Sequence, residues 1–152
     1  MLIRLRHLWL GLLALLLLVM PRHRHLWREM RANVRALPHA LEGPLPDALR
    51  AQTPAQVDLA ISPAVVRTLA DAAALFERRS PLGLCLRRSL LRYRYLRRAG
   101  LALSLSFGAR FQAGTPDRTV TGHAWTTLDG HPYFEAGRDY QGFTVVLRYP
   151  GN

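Results

Sequence analysis

A chain of 152 residues with a formal charge of +11 has room for one core, and its basicity comes from arginine alone, because it contains no lysine. A single cysteine excludes an internal disulfide framework and leaves one thiol that is either buried or reactive. The arginines are spread over the polar faces of expected helices without aromatic interleaving, so solvated helix faces are favoured over a nucleic-acid patch, and no nucleic-acid partner is expected.

The chain opens on an apolar run, Leu8 to Met20, between Arg4, Arg6 and His7 on one side and Pro21, Arg22 and Arg24 on the other. Alone it falls short of the about 20 apolar residues of a membrane span, and no small-residue cleavage site follows it, which argues against a secretory signal. Adding Leu2, Ile3 and Leu5 makes residues 2–20 a marginal span with basic flanks that set no clear orientation. Two uses stay open: a helix docked on protein, or membrane contact through 2–20. The expected location is the cytoplasm, with attachment to the inner face of the plasma membrane as the variant. Next, Leu26, Met30, Val34 and Leu37 mark one face of a helix that Pro38 should interrupt. Residues 1–42 thus read as a hydrophobic and basic helical region, and the proline-rich 43–61 as a linker.

The core is expected over 62–152. Ser62 and Pro63 form a helix start, and Val65, Val66, Leu69, Ala73 and Phe76 give that helix its apolar face. After the break at "SPLG", a second helix should run from Leu84 to Gly100, with Cys85, Ser89, Tyr93 and Leu96 on one stripe and most arginines projecting elsewhere. From Leu101 the period changes to two, giving a first strand through Phe107. "QAGTPDRT" reads as a loop, Val120–Thr127 as a second strand, His131–Glu135 as a third and "GFTVVLRY" as a fourth. Helices followed by an antiparallel sheet make the class α+β.

Cys85 falls in the first turn of its helix, where unpaired amides lower a thiol pKa, and a neighbouring imidazole would lower it further. Four of the six histidines lie in the basic N-terminal region, leaving His123 and His131. His123 opens a strand with Trp125 two residues on, able to wall the site from water. A base needs an orienting acid. A two-residue turn at Asp129 and Gly130 would set Glu135 opposite Ala124, whereas a three-residue loop, Leu128 to Gly130, sets it opposite His123. The three-residue loop is adopted, with Asp139 as the fallback orienter and Asp129 as a turn residue. Singly, each of these residues also has a plain structural reading: a buried thiol, a histidine at a strand start, an edge carboxylate. Zinc on Cys85, His123, His131 and a carboxylate lacks the close paired spacing of compact sites, so no metal is expected.

Taken together, "CLRRSLLRYRYLRRAGLALSLSFGARF" and "GHAWTTLDGHPYFE" resemble the bacterial transglutaminase-like cysteine peptidases of lasso-peptide maturation, leader peptidases whose C-terminal domain also processes microcins. The resemblance covers about Ala64 to Tyr149. It implies a transglutaminase-like, papain-like core in which a catalytic helix packs on a small antiparallel sheet. It also implies Cys85 as nucleophile, His123 as base and Glu135 as orienting acid, with Gly108 and Arg110 at the strand end and no cofactor. Glutamate stands where aspartate is commoner in that family. The backbone N–H of Cys85 is the natural oxyanion donor, because helix N-termini present free amides. The implied partners are a precursor with its leader peptide, a separate leader-recognition protein, and an ATP-dependent cyclase acting afterwards. The competing readings are an amidase or acyltransferase on the same triad, and a non-catalytic membrane-associated scaffold.

Overall fold

The computed structural model describes residues 2–111 and 119–151. Five helices come first: α1 (Leu2–Leu17), α2 (Pro21–Ala40), α3 (Leu45–Gln52), α4 (Pro63–Phe76) and α5 (Leu84–Arg98). Strands β1 (Leu103–Phe111), β2 (Val120–Leu128) and β3 (His131–Pro132) follow, then the one-turn helix α6 (Gly137–Tyr140) and β4 (Thr144–Tyr149). The sheet is antiparallel in the order β3-β2-β1-β4. This is the α+β architecture that the change of period implied.

Local chemistry sets the helix ends. Ser62 caps α4 by accepting from the Val65 amide, with Pro63 in the first turn where its missing N–H costs nothing. At the far end of α5, Gly100 takes φ +94°. The Leu101 amide then reaches the Leu96 carbonyl at 2.9 Å and the Gly100 amide reaches Arg97 at 3.0 Å, which satisfies carbonyls the helix would leave open. The alanine-rich side of α4, with Ala70, Ala73 and Ala74 fully buried, lets α5 pack closely. Leu103 and Leu105 of β1 close the core from the sheet side, and Leu26, Met30, Val34 and Leu37 of α2 enter the same apolar cluster. The N-terminal helical region therefore shares its core with the rest.

Three expectations change. The stretch 43–61, read as a linker, contains α3, whose Ala48 and Leu49 are buried. Pro44 and Pro46 sit at its start, where proline is tolerated, so they begin a helix instead of preventing one. Helix α2 runs past Pro38 to Ala40, since a proline so near the end removes one hydrogen bond of a turn that is about to stop. The β2–β3 loop has two residues, not three: Leu128 pairs with His131, and Asp129 and Gly130 have φ +50° and +79°. Two successive positive φ values make the turn whose twist matches the strands it joins. The expected loop Gln112–Thr119 lies mostly outside the described residues.

Candidate active site

Cys85 is the second residue of α5, behind Gly83, and is half-buried as a free thiol. His123 lies in β2, paired with Gly108 of β1. The two line one cavity of about 520 Å³, together with Gly83, Leu86 and Leu90, Gly122 and Ala124, and Val146 of β4. Leu45 and Leu49 of α3 supply another wall, so the segment read as a linker encloses the site. Among the described residues no hydrogen bond joins the thiol to the imidazole.

What fixes one partner against the other is Ser89, one turn after Cys85. Its buried hydroxyl donates to the Ala124 carbonyl at 2.8 Å, and Ala124 is the residue after His123. Thus the same helical stripe that carries the thiol is fastened to the strand that carries the imidazole.

The imidazole ring is held by aromatic contacts. It stacks on Trp125 at 5.7 Å between centroids and lies 5.3 Å from Phe143, while Arg110 covers the other ring at 4.5 Å from the Phe143 centroid. Gly108 makes this possible. A Cβ there would come within 2.8 Å of both the Trp125 indole and Phe143, so only glycine lets them cross β1. The Nε2 atom of His123 is buried and has no protein partner among the described residues.

Burial lowers the His123 pKa from its ordinary value, and Arg88 and Arg110 lower it further against an upward pull from Asp139. A neutral ring near pH 7 is the form that accepts a proton.

Glu135 does not reach His123. Its carboxylate has no exposed surface and is held by Arg88 at 2.7 Å and Arg92 at 2.8 Å. Arg92 is 1 % exposed and also grips Asp71 through two bonds of 2.6 and 2.7 Å. Burial pushes the Glu135 carboxyl up, against the pull of both arginines. The cause of the misplacement is the hairpin. The third strand, expected over His131–Glu135, ends at Pro132 with one further bond from the Tyr133 amide to the Thr126 carbonyl at 2.8 Å, and Phe134 at φ +52° turns the chain toward α5. The carboxylate whose charge bears on His123 is Asp139, at the start of α6.

The expectation that the arginines lie on solvated faces is thereby corrected for α5: Arg87 and Arg92 are buried, and Arg88 is mostly covered. Positions 85, 88 and 92 follow helical spacing, which puts the three on one side of α5, but the burial of Arg92 depends on Asp71 and Glu135 from other elements. Gly108, Phe143 and Ser89 had weaker signals. His131 is exposed at the hairpin end, away from the cluster the zinc reading required. Trp125, expected to wall the site, stacks on His123 and does not itself line the cavity.

The family model described as the transglutaminase-like superfamily matches residues 3–148, nearly the whole chain, and that fold is one of cysteine peptidases and acyltransferases. No curated protein and no solved structure matches the chain.

Proposed function

From the premise that the chain belongs to the transglutaminase-like superfamily, we propose that it is a cysteine peptidase removing the leader from a ribosomally made precursor, in maturation of the lasso-peptide type. The observation that carries this reading is the shared cavity of Cys85 and His123, with Ser89 fastening the helix of one to the strand of the other.

In this reading His123 takes the proton from Cys85, and the thiolate attacks the scissile carbonyl. The oxyanion that forms is held by the backbone N–H of Cys85, one of the free amides of the first turn of α5. Collapse expels the amine of the core peptide, which takes its proton from the imidazolium, and leaves a thioester. Water, deprotonated by the same histidine, then frees the thiol and the leader's new carboxylate. The acid that stabilises the imidazolium is assigned to Asp139. Glu135, which the resemblance put in that role, is instead committed to holding Arg88 and Arg92 beneath the site.

The apolar cavity walls favour a side chain without charge next to the scissile bond. A separate recognition protein is assigned to holding the leader, and an ATP-dependent cyclase to consuming the released amine.

The test combines the purified chain, its recognition protein and the precursor, followed by mass spectrometry. Cleavage at the leader boundary should vanish in Cys85→Ala and His123→Ala. Undiminished cleavage by Cys85→Ala refutes the proposal, and products joined to an added amine instead of water would make the enzyme an acyltransferase.

A further inference from the structure

The apolar run that opens the chain folds into α1, and only one side of it is covered. Ala14 is buried, and Gly11 lies close enough to Phe76 of α4 that a Cβ would meet its ring at 3.4 Å. The opposite side carries Leu8, Leu12, Leu15 and Leu16, continued by Val19 in the turn that follows, and these are 72, 50, 67, 62 and 75 % exposed. These positions follow i, i+4, i+7, i+8 and i+11, a single stripe about 100° wide. Trp9 and Met20, also half or more exposed, extend it. A contiguous apolar stripe bordered by charged residues marks an interaction surface.

Charge identifies what covers it. From Met1 to Arg28 there is no aspartate or glutamate, while Arg4, Arg6, Arg22, Arg24 and Arg28 all fall there. Arg22, Arg24, His25 and Arg28 are exposed at the start of α2, directly after Val19 and Met20. A second copy of the chain would bring these cations against their own kind on a molecule already at +11. An anionic lipid surface answers both features, with acyl chains for the leucines and phosphates for the guanidinium groups. At 16 residues α1 is about 24 Å long, short of a bilayer core of about 30 Å. Among the described residues no helix is long and apolar enough to cross a membrane.

We propose that α1 lies flat in the headgroup region of an anionic bilayer, its Leu8–Val19 stripe inserted and Arg22, Arg24 and Arg28 on lipid phosphates. No residue of the stripe lines the Cys85 and His123 cavity, so either proposal can fail alone.

The test is sedimentation of the full chain with vesicles of phosphatidylglycerol and phosphatidylcholine, against vesicles of phosphatidylcholine alone, for the parent and for Leu12→Glu/Leu16→Glu. The parent should partition onto the anionic vesicles and be released by salt. The double variant should bind at least ~10-fold more weakly. Because both leucines are exposed, its circular dichroism and melting should match the parent's. The proposal is overturned by no binding to anionic vesicles, equal binding to phosphatidylcholine alone, or undiminished binding by the double variant. A dimer in light scattering that the double variant dissolves would assign the stripe to a second copy.

Discussion

Ser89→Ala tests whether the helix of the thiol is held in place by the strand of the imidazole. The hydroxyl is fully buried and its bond to the Ala124 carbonyl is 2.8 Å, so deleting it leaves a dry acceptor and no route for water to replace the donor. Loss of a buried partner costs about 1–3 kcal/mol, and the atom removed is small enough that the cavity adds little. For a chain of this size each kcal/mol moves Tm by roughly 2–4 °C, so melting should fall by about 2–12 °C. The functional readout uses the fact that Cys85 is the only cysteine. Its alkylation by iodoacetamide near neutral pH reports how well His123 draws off the proton, and a start of α5 released from β2 should slow it by about tenfold. His123→Ala gives the floor for that rate. If Ser89→Ala melts and alkylates like the parent, the bond does not hold the pair and the reasoning fails.

The two carboxylates should separate cleanly. Glu135→Gln strips a buried partner from two arginines and should destabilise the fold by about 3–5 kcal/mol in chemical denaturation. Asp139→Asn should change stability little but lower the His123 pKa further, followed by NMR of the imidazole protons; if instead Glu135→Gln lowers it and Asp139→Asn does not, the acid is Glu135. Arg110→Gln should raise the His123 pKa by removing a facing cation. Because the folded His123 pKa lies below its unfolded value, this group's contribution to stability is full above the unfolded value and is lost as pH falls through the folded one. The Arg110→Gln variant should therefore lose less stability than the parent between pH 7 and pH 5. Gly108→Ala should cost about 1–3 kcal/mol and alter the near-UV tryptophan signal, because the added methyl meets Trp125 and Phe143; a silent variant would remove Gly108 from the site.

Much of the site was legible before any coordinates because its parts depend on short-range rules. A break at "SPLG" followed by a periodic run places Cys85 in a first turn, and the change from period 3.6 to period two places His123 and Trp125 on one strand. What resisted was longer in range. Two prolines at 44 and 46 suit a linker and a helix start equally well, and burial of Leu49 against the core chose the helix.

Residue order alone thus determined the class, the helix that presents the thiol and the strand that presents the imidazole, since each follows from spacing within about a dozen neighbours. The tertiary structure decided where Glu135 goes. A one-residue difference in a turn sends every following side chain to the other side of the sheet, and the turn at Asp129 and Gly130 delivered Glu135 to the arginines of α5 instead. Charges that pair across elements distant in sequence, as Asp71, Arg92 and Glu135 do, leave no local trace, because the energy that places them exists only once those elements have packed.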